Sequence, residues 1–284
     1  MSKLTTKQAS LHNQALAILK NDILNDEQKE FVFINYQESA TNVNSLSGAF
    51  FTPISMAFEF EFEATCFNVE TCIDFCAGIG VLSYAMIRRN PRLKRLVCID
   101  INPEYVAIGK KLVPEAEWYC MDITDSKALQ ELGLFDLAIS NPPFGVVASL
   151  KDKEGVFYNG SNAEYKVIDI AGSVASRGAF IIPQSSTPFK YSNVRSSEDL
   201  KGFSIANKYK TFHKQTLITL ENSMGFDTSL DGMYVWDIKG TYYDCFWHGV
   251  NPVVEFVTTE YPEKYHFKDS IFTGLEEEQL SIFG

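Results

Sequence analysis

The chain has 284 residues, 45% of them hydrophobic, and its formal net charge is −11 at pH 7. No stretch approaches the roughly 18 unbroken apolar residues of a membrane span. The first residues also lack the apolar run of a signal peptide, so we expect a soluble, cytoplasmic protein. The acidic balance argues mildly against a general nucleic-acid binder. The six cysteines form no C-x-x-C pair, which favours reduced thiols over a metal site.

The first 48 residues predict a helical extension. Apolar residues at helical spacing indicate one helix over 7–20, and Asp26 is a candidate cap for a second helix that runs to about Glu38. Residues 39–48 are rich in loop formers, so they are predicted to separate these helices from the main part of the chain.

From residue 70 onward, predicted strands alternate with helices. The strands are expected at 71–75, 95–100, 117–122, 135–140 and 178–183, and the last intervening helix at 163–176. This alternation predicts a Rossmann-like α/β fold whose mainly parallel sheet is covered on both faces. Three later runs, at 234–238, 242–247 and 253–260, lack intervening helices and are predicted to finish the sheet as antiparallel strands. We place the main domain at 49–265 and an acidic tail at 266–284.

A glycine-containing turn follows the first strand, from Asp74 through Gly78 to Gly80. Its pattern is D-x-x-x-G-x-G, so the pyrophosphate fingerprint G-x-G-x-x-G is absent. Asp100 and Asp122 end the second and third strands. Each acid alone is more often a helix cap or a loop residue. Together, at the strand ends where ligands of open α/β sheets bind, they favour an adenosine ligand without phosphates, and S-adenosylmethionine rather than NAD.

The loop after the fourth strand reads Asn141-Pro142-Pro143-Phe144. An amine conjugated to a ring is a poor nucleophile, and the Asn141 side-chain oxygen and the Pro142 carbonyl could each accept one of its hydrogens. These acceptors would orient the nitrogen and stabilise its developing positive charge. The two prolines stiffen the backbone, and Phe144 offers a flat face for a planar substrate. The pattern therefore predicts the catalytic loop of an amino-methyltransferase.

Three motifs in this order resemble a known family. The segment Phe51-Thr52-Pro53 comes first, then Asp74-x-x-x-Gly78-x-Gly80, then Asn141–Phe144. This arrangement is similar to that of the gamma-type N6-adenine DNA methyltransferases, which include the modification subunits of type I restriction systems and many type II adenine methylases. The resemblance covers about residues 45–185, half of the chain.

The resemblance implies a class I S-adenosylmethionine-dependent fold and methylation of adenine N6 in DNA, with the target base turned out of the helix. It also implies a set of cofactor contacts. These would come from Phe51, Thr52, Pro53, Asp74, Cys76, Gly78, Gly80, Asp100, Ile101, Asp122, Ile123 and Asn141. Taken alone, the F-T-P segment has another interpretation, as a helix start with Thr52 as cap and Pro53 as first residue.

The chain departs from the family in its recognition elements. Members usually carry a separate target-recognition domain or borrow one from a specificity subunit, and little sequence remains here for such a domain. A specificity subunit or a second copy of the chain is therefore expected as a possible partner for recognition. A basic stretch at 186–215 could contact DNA phosphates, although a solvated surface explains it equally well. Its basic residues are Lys190, Arg195, Lys201, Lys208, Lys210 and Lys214.

Two alternative functions remain open. The Asn-Pro-Pro-Phe loop also resembles methyltransferases of guanine in ribosomal RNA and of glutamine in proteins, which typically lack the F-T-P segment. The second alternative is a non-catalytic DNA-mimic or antirestriction protein that keeps the fold, against which the intact Asn141–Phe144 loop argues.

Overall fold

The computed structural model describes residues 4–37, 50–65, 67–153, 155–156, 158, 160–186, 227–229, 247–248, 252 and 254–261. The predicted strands at 234–238 and 242–247 fall almost wholly outside these residues. The predicted basic contacts and the predicted tail at 266–284 also lie outside them.

Two N-terminal helices, α1 (Thr6–Ile18) and α2 (Asp26–Asn35), precede the sheet. Each begins with a capping box, in which the cap side chain and the side chain of the third helical residue exchange hydrogen bonds with the backbone. The prediction that Asp26 caps the second helix is wrong, because Asn25 accepts from the Gln28 N–H. Asp26 is the first helical residue, where its negative charge suits the helix dipole.

In the described part of the chain, seven strands form one sheet in the order β3-β2-β1-β4-β5-β7-β6. They are β1 (Thr71–Phe75), β2 (Arg95–Asp100), β3 (Glu117–Cys120), β4 (Phe135–Ser140), β5 (Ala175–Pro183), β6 (Asp227–Ser229) and β7 (Val254–Glu260). The first five are parallel, β7 runs antiparallel to β5, and β6 antiparallel to β7. The predicted Rossmann-like sheet with an antiparallel finish is thereby confirmed.

The helices that flank the sheet are α3 (Ile54–Ala64), α4 (Val81–Arg89), α5 (Pro103–Leu112), α6 (Ser126–Leu132) and α7 (Ala163–Ala171). Successive residues of a strand point to opposite faces, and two hydrophobic clusters result. Cys72 and Leu137 belong to the cluster that also contains α3–α5 residues, whereas Ile73 and Ala138 belong to the cluster with α6 and α7 residues. Within the described ranges, none of the helices is long and apolar enough to span a membrane.

Several boundaries differ from prediction, among them the start of β5, which lies at Ala175 rather than at residue 178. The helix predicted over 163–176 ends at Ala171, because β5 begins at Ala175 and pairs there with Phe135 of β4. The third strand stops at Cys120, whose thiol is exposed on this edge strand rather than buried.

The strand order places a crevice beside β1. This strand has β2 on one side and β4 on the other. The strand order therefore reverses at β1, and the sheet extends outward from it in both directions. In open α/β sheets such a switch point is where ligands bind, at the carboxyl ends of the strands.

Candidate cofactor and acceptor site

A cavity of about 460 Å³ lies at the carboxyl ends of β1, β2 and β4. Its volume falls in the range of small-molecule sites. The predicted site residues in its wall are Phe51, Thr52, Asp74, Cys76, Gly78, Asp100, Ile101, Asp122, Ile123, Asn141 and Pro143. Pro53, Gly80, Pro142 and Phe144 do not line it.

The turn after β1 brings the chain close under an aromatic ring. Cys76, Gly78 and Gly80 all have positive φ, of 55°, 57° and 92°. A Cβ on Gly78 would lie 3.1 Å from Phe51, so this glycine lets the F-T-P segment close onto the turn. Gly80 packs against another aromatic ring. It does not line the cavity, and a Cβ there would come within 2.9 Å of the Trp118 ring, so its predicted cofactor contact stays a prediction.

Asp100 is held by the backbone around it. Its two carboxylate oxygens accept N–H groups of Gly78 and Asn102, both at 2.8 Å. Burial raises the pKa of Asp100, and these backbone hydrogen bonds oppose the rise. Each oxygen keeps a further lone pair, so the carboxylate can still accept hydroxyl donors from a ligand.

Asp74 has one satisfied and one unsatisfied oxygen. Its Oδ2 accepts the Ser83 hydroxyl at 2.6 Å, whereas its buried Oδ1 has no hydrogen-bond partner among the described residues. Burial raises the pKa of this carboxyl to about 7, and the neighbouring Asp100 carboxylate adds to the rise. An unpaired buried acceptor is costly, so this atom is suited to a donor or a cation from a ligand.

Asp122 lies two residues beyond the end of β3 and is already engaged. Its Oδ1 accepts from the backbone N–H and the hydroxyl of Thr124, at 2.9 and 2.7 Å. Its Oδ2 lies 3.6 Å from the Lys153 ammonium. The predicted contact of Asp122 with an adenine amino group would have to share these oxygens.

The amide of Asn141 has a defined orientation. Its Nδ2 donates to the Phe50 carbonyl and to Thr52 Oγ1, both at 3.0 Å. A carbonyl can only accept, so the nitrogen must face Phe50. The Oδ1 atom is buried and has no hydrogen-bond partner in the part of the chain that is described. The amide oxygen is therefore available to accept an N–H.

The F-T-P segment does precede a helix, but Thr52 does not cap it. Helix α3 begins at Ile54, with Pro53 at the cap position and no side-chain cap hydrogen bond. The Thr52 hydroxyl is buried and contacts Asn141 instead. Thr52 thus links the F-T-P segment to the Asn141–Phe144 loop, a contact between residues far apart in the chain.

Phe144 lies between two other aromatic side chains. The Phe50 and Trp247 rings lie 6.4 and 6.5 Å from it, centroid to centroid. The predicted stacking of Phe144 on a substrate stays a prediction, because in this structure the ring packs against the hydrophobic core beside the cavity.

The sequence interpretation missed several residues of the cavity wall. Glu104 and Tyr105 line it from the start of α5, and the hydroxyl of Tyr36, the residue after α2, donates to Glu104 at 2.9 Å. Asn102, which follows Asp100 and caps α5, could have been found from its place before Pro103. Phe50 directly precedes the F-T-P segment and contributes both its ring and the carbonyl that orients Asn141.

Comparison with known proteins finds a family match over part of the chain. Residues 61–155 match the family described as Methyltransferase small domain. The matched segment is of the S-adenosylmethionine-dependent methyltransferase type. It extends from α3 past the catalytic motif and thus contains β1 to β4, and the predicted cofactor, S-adenosylmethionine, is confirmed.

The chain is also similar to curated and solved proteins. It is 34% identical over 142 residues to "Ribosomal RNA small subunit methyltransferase C" of Shewanella sediminis, which covers 49% of this chain and 38% of that protein. The chain therefore spans less than half the length of the curated relatives it matches. An rRNA methylase from Streptococcus thermophilus has 14% identity and a TM-score of 0.41, over 74% of this chain and 96% of that one. A methyltransferase subunit of a type I restriction-modification system from the same species has 15% identity and a TM-score of 0.43, over 59% and 42%.

Proposed function

We propose that the chain transfers a methyl group from S-adenosylmethionine to the exocyclic amine of a nucleic-acid base, with guanine in ribosomal RNA as the first candidate. The observation that carries the chemistry is the Asn141 amide. Its nitrogen is occupied by Phe50 and Thr52, and its buried oxygen is left without a partner among the described residues.

The cavity has groups suited to the cofactor. The unpaired Oδ1 of Asp74 would accept from the ammonium group of the methionine part, and Asp100 would accept the ribose hydroxyls. The bare Cα of Gly78 leaves room beneath Phe51, which would cover the cofactor from the F-T-P side. When bound, S-adenosylmethionine supplies an electrophilic methyl group on a sulfonium sulfur.

Asn141 acts on the acceptor amine. In the proposal its Oδ1 accepts one amine hydrogen and the Pro142 carbonyl accepts the other, so the nitrogen lone pair is directed at the methyl carbon. As the nitrogen–carbon bond forms, the carbon–sulfur bond breaks and the electron pair stays on sulfur. The positive charge that develops on nitrogen is stabilised by the two oxygens, and the proton then leaves to solvent. Fixed acceptors of this kind act by positioning and electrostatics.

The choice of ribosomal RNA rests on the curated relatives, since those that share about half of this chain are named for the small ribosomal subunit. The basic residues within 186–215 would add contacts to nucleic-acid phosphates.

Adenine N6 in DNA is the second candidate. It is favoured by Thr52, because the F-T-P segment that the adenine-specific family carries at this position is in direct contact with Asn141. Ribosomal RNA and glutamine methyltransferases with the same catalytic loop typically lack that segment. The contact would serve either base amine, so only the product can decide between the two substrates.

The test is to identify the methylated product. Small ribosomal subunits, naked ribosomal RNA, double-stranded DNA and a protein acceptor are each incubated with the chain and isotope-labelled S-adenosylmethionine, and digested products are separated by mass spectrometry. We expect labelled N2-methylguanosine from the RNA arms. Labelled N6-methyladenine from DNA alone would replace the first candidate by the second. Asn141→Ala is the matched control for contaminating activity.

Two results would contradict base methylation altogether. One is label found only in the protein acceptor. The other is a folded chain that does not bind S-adenosylmethionine in isothermal titration, which would favour a non-catalytic binding protein.

A further inference from the structure

Helix α7 is an unusual place for charged residues. All nine of its residues, Ala163–Ala171, are buried, yet three of them are Glu164, Lys166 and Asp169. Each is at most 1% exposed. Buried charges are normally paired or coordinated, so their partners indicate which part of the chain the helix holds in place. All three contact the backbone of the segment that follows the catalytic loop, residues 145–158.

Glu164 holds the exit of the catalytic loop. Its Oε2 accepts the Gly145 N–H at 2.8 Å, and the Gly145 carbonyl accepts the Ala163 N–H at 2.8 Å. Gly145 follows Phe144 directly and has a φ of 70°. The other carboxylate oxygen accepts the Ser186 hydroxyl at 2.7 Å, which ties the end of β5 to the same point.

Lys166 holds the turn that reaches the cofactor. Its ammonium donates to the carbonyls of Leu150, Lys151 and Lys153. Leu150 lines the cavity, and the side chain of Lys153 pairs with Asp122. Three converging carbonyls satisfy the three donors of one ammonium, and burial lowers the pKa of Lys166.

Asp169 holds the far end of the segment. Its Oδ2 accepts the Tyr158 N–H at 3.0 Å. A Cβ on Gly155 would come within 2.2 Å of the same oxygen, so the backbone passes close to Asp169 there. The charges along α7 therefore match the backbone groups along the segment, with carboxylates facing N–H groups and the ammonium facing carbonyls.

We infer that Glu164 and Lys166 are positioning residues with separable effects, Glu164 on the acceptor geometry at Asn141–Phe144 and Lys166 on the cofactor side of the cavity. This inference rests on the proposed methyl transfer. It makes the described part of residues 145–158 a fixed wall of the site.

The test compares Glu164→Gln with Lys166→Met. Glutamine can still accept the Gly145 N–H and can donate its amide N–H to the Ser186 hydroxyl, but it lacks the negative charge. We therefore expect the single-turnover rate at saturating cofactor to fall up to about tenfold, the order expected when a charged hydrogen bond becomes a neutral one. The cofactor Kd should stay within about twofold. Lys166→Met leaves three carbonyls without their donor, so we expect the opposite pattern, a cofactor Kd raised about tenfold or more with a smaller change in rate.

Two controls separate positioning from general damage. Lys151→Met removes a lysine charge from the same turn while keeping the backbone carbonyl that Lys166 contacts, so both parameters should stay unchanged. Lys166→Arg keeps the positive charge and should restore part of the cofactor affinity. The two test variants could instead lose rate and affinity equally, in proportion to the fall in their melting temperatures. This result would mean that the helix has only a structural role and would overturn the inference.

A further measurement needs neither folded variants nor an active enzyme. In the wild type, the amide hydrogens of Gly145 and Tyr158 should exchange as slowly as those of β4, because Glu164 and Asp169 hold them. Exchange of these two amides as fast as that of unprotected amides would overturn the inference. If the wild type binds cofactor but methylates no acceptor, the proposed function fails, while this exchange measurement and the Lys166→Met affinity still decide the positioning.

Discussion

The two sides of the cavity are built in different ways. On the proposed cofactor side, Asp100 is held by Asn102, two residues later, and by Gly78, 22 residues earlier, and Asp122 is held by Thr124. On the acceptor side, Asn141 is oriented by Phe50 and Thr52, 91 and 89 residues earlier. The contacts that hold Asp100 and Asp122 thus span 2 to 22 residues, whereas those that orient Asn141 need the N-terminal segment to pack beside the sheet.

The largest effect should come from Asn141→Ala, which removes the amide at the centre of the acceptor side. Removing one preorganised hydrogen-bond partner of a transition state costs about 10²–10³-fold in rate, and we expect at least this loss in single-turnover methylation. The cofactor Kd should be nearly unchanged, because Asp74 and Asp100 remain. A near-normal rate would refute the role of Asn141. An equally large loss of cofactor affinity would mean that Asn141 also contributes to cofactor binding.

The next effect concerns Asp74 and pH. S-adenosylmethionine carries an ammonium group that should bind the ionised carboxylate, and the pKa of Asp74 is raised to about 7. We expect cofactor affinity to fall about tenfold per pH unit as the pH drops below about 7, since each unit protonates ten times more of the site. Above roughly pH 8 the ammonium group itself loses its proton, so affinity should peak between these values.

The stability of the cofactor-free protein should change in the opposite direction. A carboxyl whose folded pKa lies above its unfolded pKa contributes stability below the unfolded value, here 3.8, and this stability is lost as the pH rises through about 7. Isothermal titration and thermal melts of the wild type and Asp74→Asn, from pH 5.5 to 8.5, check both trends. If Asp74→Asn keeps the same pH dependence of affinity, another group is responsible.

A smaller effect should follow from Thr52→Val, which removes the contact between the F-T-P segment and Asn141 while nearly keeping the side-chain shape. The Phe50 carbonyl still holds the amide, so we expect the loss of only one hydrogen bond. The activation free energy should rise by about 0.5–1.5 kcal/mol, which corresponds to roughly a 2- to 13-fold lower rate. Thr65→Val is a matched control, since the Thr65 hydroxyl bonds only within α3 and its C-cap. A larger fall in cofactor affinity than in rate would assign Thr52 to the cofactor instead.

This division explains which features could be predicted from the sequence. The strands up to β4, the turn at Asp74–Gly80 and the acids at Asp100 and Asp122 follow from hydrophobic periodicity and local turn patterns, which need no knowledge of distant contacts. The C-terminal end of the 163–176 helix could not be predicted in the same way, because β4 pairs with residue 175 and competes with the helix.

Long-range contacts explain the features of the structure that could not be predicted from the sequence. The F-T-P motif could be recognised as a pattern, but its contact with Asn141 depends on how α3 packs beside the sheet. Gly80 fits a nucleotide motif in the sequence, yet it accommodates Trp118 in the structure. The buried charges of α7 resemble ordinary polar residues of a surface helix until their backbone partners are known.

The smallest effect should come from Thr124→Val, which changes the local support of Asp122 on the cofactor side. The Thr124 hydroxyl donates to Asp122 Oδ1 at 2.7 Å, but the Thr124 N–H donates to the same oxygen and survives the substitution. The carboxylate is also partly exposed and stays near Lys153, an ion pair worth at most about 1 kcal/mol. We therefore expect the cofactor Kd to rise no more than about threefold and the rate at saturating cofactor to stay unchanged, as isothermal titration and single-turnover assays can show. A loss in rate as large as that of Thr52→Val would mean that the two sides are coupled through Asp122, Lys153 and the segment that Lys166 holds, and the separate effects expected for Glu164 and Lys166 would then merge as well.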